Sequence, residues 1–188
     1  MTRFFEMLHL YDSSPYSIKS QTIRLKAAST VSAARKKILV WGEDALVFVY
    51  FVPADLSALH LVVADEDVQV ASTKVTDSLP YQIFTRIDKN YYEFIAIYPD
   101  QPKIFPDSVY LQLTTPLNER DGDDPDMILV HPQSQFHLDI QDDSLSLSLP
   151  PFPDDIRFAT RTAFLDLDSM ISTILDPPSA SGKKYVPR

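Results

Sequence analysis

Glycine is the scarcest structural resource in this chain, with only Gly42, Gly122 and Gly182 among 188 residues. Average usage of roughly 7% would supply about 13. A nucleotide-binding G-x-G-x-x-G turn or a P-loop needs several glycines within a few residues, because backbone must approach phosphate where a side chain would block it. Neither pattern occurs. Fifteen prolines instead punctuate the chain, so its turns are built mainly from restricted residues rather than permissive ones.

Charge and cysteine narrow the reading further. A formal net charge of −9 opposes nucleic-acid binding by phosphate neutralisation. With no cysteine, the chain has no disulfide, no zinc-thiolate site and no thiol nucleophile. The apolar stretch 45–54 is ten residues long, well short of the roughly 20 that span a bilayer. Glu6 and His9 interrupt the N-terminal apolar run, and no Asn-x-Ser/Thr acceptor is present. These features predict a cytoplasmic protein that contacts neither membrane nor nucleic acid.

Periodicity predicts one α/β (α+β) domain over 1–176 and a disordered Pro/Ser/Lys-rich tail over 177–188. β-like stretches are expected around Phe4–Leu10 and Tyr16–Leu25. Val31, Ala34, Ile38 and Trp41 recur at helical spacing, which predicts a helix over 29–40. A second helix is expected over 43–51, after Gly42 and before Pro53. Leu56–Val63 reads as a buried strand, and 65–77 as a helix opened by Asp65-Glu66-Asp67. Period-two patterns predict strands at Tyr81–Arg86, Tyr91–Tyr98, Ser108–Thr114, Met127–Val130, Phe136–Ile140 and Leu145–Leu149. A last helix is expected over 160–175.

The run Val40-Trp41-Gly42-Glu43-Asp44-Ala45-Leu46, then Val52-Pro53-Ala54-Asp55, Leu56–Val63 and Ala64-Asp65-Glu66-Asp67, resembles the core of the nucleotidyltransferase superfamily. There a Gly-Gly or Gly-Ser turn opens a short helix, followed by an "hDhDh" strand and a helix behind it. More closely, the chain is similar to a group of uncharacterised fungal proteins with that core in degenerate form. The similarity covers about 28–85 and, through Arg157–Leu165, about 154–176.

The resemblance implies a mixed sheet with flanking helices and antiparallel additions. It also implies magnesium chemistry by two carboxylates two residues apart, which a strand places on one face. The matching positions here are Ala58 and His60. Alanine offers no ligand atom, and a neutral imidazole suits magnesium poorly. No acid lies on the candidate third strand, Val109–Leu113. Gly42 stands alone between Trp41, which would crowd a phosphate, and Glu43, which would repel it.

The expectation is therefore a catalytically inactive, nucleotidyltransferase-like binding or interaction module, with no catalytic residue, no metal and no cofactor. Its ligand-binding residues would be Gly42, Glu43, Asp44, Asp55 and His60, lining an acidic cleft for an unidentified protein or small molecule. One alternative is an active magnesium-dependent nucleotidyltransferase using Asp44, Asp55 or Asp139; another is an unrelated structural or interaction protein.

Other residues carry blander readings. Arg35-Lys36-Lys37 reads as a solvated helix face, and Asp166/Asp168 as surface acids on a helix. Asp121–Asp126 fails the EF-hand spacing, with Pro125 and Asp126 at its fifth and sixth positions. His131, His137 and Asp139 read as surface strand residues, with a metal or acid–base cluster as the less favoured possibility. His60 reads as a packed histidine bonded to a neighbour.

Overall fold

The computed structural model describes residues 13–84 and 105–164. Tyr16–Leu25 is not a strand. Ile18–Arg24 forms helix α1, whose first turn is capped by Ser17 Oγ accepting from the Ser20 amide at 3.1 Å. Helix α2, Lys26–Ser32, follows at once. It buries Ala27, Ala28 and Val31.

The expected helix over 29–40 is divided between two elements. The chain leaves α2, turns through Arg35 in the left-handed region (φ 58°), and becomes strand β1, Ile38–Trp41. All four β1 residues are buried, which marks a central strand covered on both faces. Lys36 and Lys37 therefore lie in the turn before a strand. They pair with Asp67 at 2.6 Å and Asp143 at 2.9 Å.

Gly42 ends β1 with φ 72° and ψ −144°, backbone that only glycine adopts readily. Helix α3, Glu43–Tyr50, starts there as expected. It stops at Phe51, a left-handed residue, where the amides of Phe51 and Val52 both reach the Leu46 carbonyl. An irregular loop leads to strand β2, Leu59–Val63. A short 3₁₀ turn at Asp65–Asp67 and helix α4, Val68–Ser78, match the predicted helix. Strands β3 (Tyr81–Ile83), β4 (Val109–Leu113), β5 (Met127–Pro132), β6 (Ser146–Ser148) and β7 (Ile156–Ala159) complete the described residues.

The seven strands form one mixed sheet in the order β3-β4-β5-β2-β1-β7-β6. β2 runs antiparallel to β1 and parallel to β5, and β1 runs parallel to β7. The α/β class expected from the sequence is thus observed. Helices α2 and α4 pack against the sheet and each other. A continuous core runs through Ile38, Val40, Leu59, Leu61, Ile128, Val130 and Phe158, all essentially inaccessible.

Two further expectations change. Phe136, Leu138 and Ile140 alternate and are all buried, but they belong to a 3₁₀ turn at Gln133–Phe136 and the loop after it, not to a strand. Arg157–Ala159, expected to lead into a helix, lies in β7. Residues 161–164 are helical, where the last helix was expected to begin. Phe4–Leu10, Tyr91–Tyr98, the Asp166/Asp168 pair and the tail 177–188 lie outside the described residues.

Candidate functional site

The antiparallel pairing of β1 with β2 sets Trp41 directly opposite His60. The parallel pairing of β2 with β5 sets His60 beside Leu129, and Val62 beside His131. Side chains alternate along a strand, so Trp41, His60 and His131 project from the same face of the sheet. Gly42 closes this patch, with the His60 ring against its backbone. A Cβ built on Gly42 would meet His60 Cδ2 at 3.6 Å, an ordinary contact. The backbone angle, not steric crowding, is what demands glycine there.

The two imidazoles are hydrogen-bonded. His60 Nδ1 lies 2.9 Å from His131 Nε2, and His131 Nδ1 lies 2.6 Å from Ser108 Oγ. Their ring planes differ by 7° with centroids 5.1 Å apart, so the rings meet edge to edge in one plane. Facing nitrogens in line share one proton between them; they do not converge on a common metal ion.

Burial lowers the His60 pKa to about 4, with Glu43 opposing that shift and Arg24 adding to it. Burial, then His60 itself, takes His131 well below the ordinary histidine range. At neutral pH the chain Ser108–His131–His60 is uncharged. Its connectivity is that of a serine–histidine relay, but the third member is a neutral imidazole. A relay activates serine because a carboxylate stabilises the imidazolium that forms, and here that charge is missing.

A second network lies behind the Gly42 turn. Asp44, fully buried, accepts hydrogen bonds from Arg24 Nε and, at 3.1 Å, from Arg24 Nη2. Burial raises the Asp44 pKa, and Arg24 opposes the shift. Arg24 Nη2 also donates to the Ser57 carbonyl at 3.0 Å. Glu43 Oε2 accepts from the Ser57 amide at 3.0 Å and from Ser57 Oγ at 2.7 Å. Arg24, Asp44 and Glu43 thereby clamp the loop that delivers β2 and His60.

Aromatic rings cover the same face of the sheet. Phe105 packs edge-on against His131 and His60 at 4.8 and 6.0 Å between centroids. Phe136 adds a further edge contact to His131 at 5.1 Å. Trp41, 5% exposed, stacks on Phe136 and lies against Phe164. The tryptophan expected to crowd an incoming phosphate is itself buried in this cluster.

Of the five residues expected to bind a ligand, His60 lies against Gly42, Glu43 bonds Ser57, and Asp44 reaches the same loop through Arg24. Asp55 is exposed and makes no hydrogen bond or ion pair among the described residues. The possible His131/His137/Asp139 cluster is not formed. His131 is buried against Ser108, whereas His137 and Asp139 are exposed on the loop after the 3₁₀ turn. Asp139 Oδ1 accepts from the Gln141 amide at 2.8 Å.

His131 thus departs from the surface position expected for it, because β5 is a central strand. Arg24, Ser57 and Ser108 are the residues that sequence reasoning missed. Arg24 stands between Lys19 and Lys26 in the sequence, so its charge alone did not single it out.

Magnesium prefers oxygen ligands in octahedral array. The positions matched to the paired carboxylates hold Ala58 and a His60 whose Nδ1 is engaged, so they do not fit that ion. Among the described residues no three His, Asp or Glu side chains form a metal-holding group. No helix there is long and apolar enough to cross a membrane. No family model, curated protein or solved structure matches the chain.

Proposed function

We propose that this protein is a binding or interaction module on a nucleotidyltransferase-like core, and that it does not transfer nucleotides. The carrying observation is the occupancy of the two positions that catalysis would require, one just before β2 and one within it. Ala58 is buried and His60 is tied to His131.

The neighbouring acids support the same reading. Asp44 is held by Arg24, and Glu43 is held by Ser57. A carboxylate engaged in this way is poorly placed to chelate magnesium. What remains accessible is the half-buried surface formed by Gly42, Glu43 and His60, a neutral imidazole beside a carboxylate. Such a surface favours a hydrogen-bond donor or a cationic group over a triphosphate.

The test is thermal stability and pyrophosphate release with each nucleoside triphosphate, with and without magnesium. A ligand at 100 times its Kd raises stability by about 2.7 kcal/mol, which a melting curve resolves. The expected outcome is no magnesium-dependent stabilisation and no pyrophosphate. Turnover abolished by Asp44→Asn, in a variant that still folds, would overturn the proposal in favour of an active enzyme.

A further inference from the structure

The hydrogen-bond chain Ser108–His131–His60 has a direction, and its buried end sets it. Both rings are uncharged at neutral pH, because burial lowers both pKa values. A neutral imidazole carries one N–H and one bare nitrogen, so the chain can run only two ways. If Ser108 donates to His131 Nδ1, then His131 Nε2 donates to His60 Nδ1, and His60 keeps its own hydrogen on Nε2. The reverse direction puts hydrogens on both Nδ1 atoms and leaves His60 Nε2 bare.

Ser108 decides between them. It is 6% exposed, and among the described residues its Oγ makes one hydrogen bond, the 2.6 Å contact with His131 Nδ1. In the reverse direction Oγ accepts, and its own hydrogen is left buried without an acceptor. Stranding a buried donor costs the full desolvation of that group, so the forward direction dominates. The 2.9 Å link between rings only 7° from coplanar carries that preference to His60.

His60 Nε2 is where the chain meets the surface. Among the described residues, the buried side-chain polar atoms without a partner are Gln21 Oε1 and Gln135 Oε1. His60 Nε2 and Glu43 Oε1 also lack a partner there, so both reach solvent. The Glu43 carboxylate acts electrostatically on His60 without forming an ion pair with it. The half-buried Phe105 ring stands edge-on to His60 at 6.0 Å. We propose that this surface binds a carboxamide, whose carbonyl accepts from His60 Nε2 and whose N–H donates to Glu43 Oε1. Ser108 is then the positioning residue that keeps His60 a donor. A carboxylate of the same shape lacks the N–H and is repelled by Glu43. An ammonium sets a donor against a donor at His60. The inference rests on reading the His60 surface as a binding site.

Long-range proton–nitrogen NMR of the full chain distinguishes protonated from bare imidazole nitrogens and needs no variant. Both histidines are expected to carry their hydrogen on Nε2. Ser108→Ala should add the Nδ1-protonated form, and Ser108→Thr, which keeps the hydroxyl, should restore the single form. The chain is then titrated with benzamide, benzoate and benzylammonium at matched ionic strength. Benzamide is expected to give saturable shifts at Gly42, Glu43 and His60, with both charged analogues several-fold weaker. If Ser108→Ala halves the donor form, its apparent affinity for benzamide falls about two-fold. A bare His60 Nε2 in the wild type, an unchanged tautomer in Ser108→Ala, benzamide shifts that do not saturate, or a charged analogue that binds as well would each overturn the proposal and leave the non-transferase reading standing. Pyrophosphate release from a triphosphate would overturn that reading, and this inference with it.

Discussion

Arg24 and Asp44 show how much one side-chain pair can govern. A carboxylate with no solvent access is tolerated here because a guanidinium meets both of its oxygens. Removing one partner strands the other charge. Arg24→Met or Asp44→Leu alone is therefore expected to cost about 3–5 kcal/mol in urea unfolding. The double variant should recover much of that loss, since two apolar side chains leave no buried charge.

His60 makes the pH dependence specific. Its folded pKa, about 4, lies below the ordinary 6.5, so between those values the unfolded chain binds more protons. Its contribution to stability is complete above pH 6.5 and declines as pH falls towards 4. Buried Asp44, whose pKa is raised, acts in the opposite sense. The reading is therefore the difference between wild type and His60→Gln. The variant should show the shallower acid loss in urea midpoints between pH 7 and 4. That His60 packs and bonds to a neighbour was legible from its apolar strand, but the neighbour's identity and the burial of His131 were not. The partner of His60 lies 71 residues away on a parallel strand, and no local pattern reports which strands pair.

At the scale of the element, the legible parts were those whose period agreed with their burial. Helices α3 and α4 and strand β4 follow their apolar spacing, while β2 and β5, buried almost throughout, read as strands from unbroken apolar runs. Strand β1 did not, because Val31, Ala34, Ile38 and Trp41 fall at helical intervals by coincidence across two elements. The run Ile38–Trp41 carries no period, being buried on both sides. The alternation of Phe136, Leu138 and Ile140 misled in the reverse direction, since a loop can also bury every second residue.

The break between α2 and β1 falls on Arg35, an exposed non-glycine residue at φ 58°. Left-handed backbone costs such a residue roughly 1–2 kcal/mol. Arg35→Gly is expected to relieve about 1 kcal/mol and raise the melting temperature by about 2–4 °C in a chain of this size. Differential scanning calorimetry reads this directly, and a fall in melting temperature would refute it.

The whole molecule is organised around β5, β2 and β1 at the middle of the sheet, with β3 and β6 at its margins. Every residue of β5 is buried, whereas Gln82 and Ile83 of β3 are exposed. Opening free energies rise towards the global value in such a centre and fall at edges. Native-state hydrogen exchange should find the β2 and β5 amides slowest and those of β3 and β6 the first to open. Slower exchange in β3 than in β5 would contradict this ordering.

The parallel pairing of β1 with β7 has a consequence for biosynthesis. Ile38 finds its neighbour only in Ile156, so β1 leaves the ribosome long before the strand that covers its second edge. At roughly 5–20 residues per second, the intervening 118 or so residues take about 6–24 s to translate. Throughout that interval an Ile-Leu-Val-Trp strand presents an unpaired apolar edge. A stall in synthesis before residue 156 would therefore leave that edge uncovered.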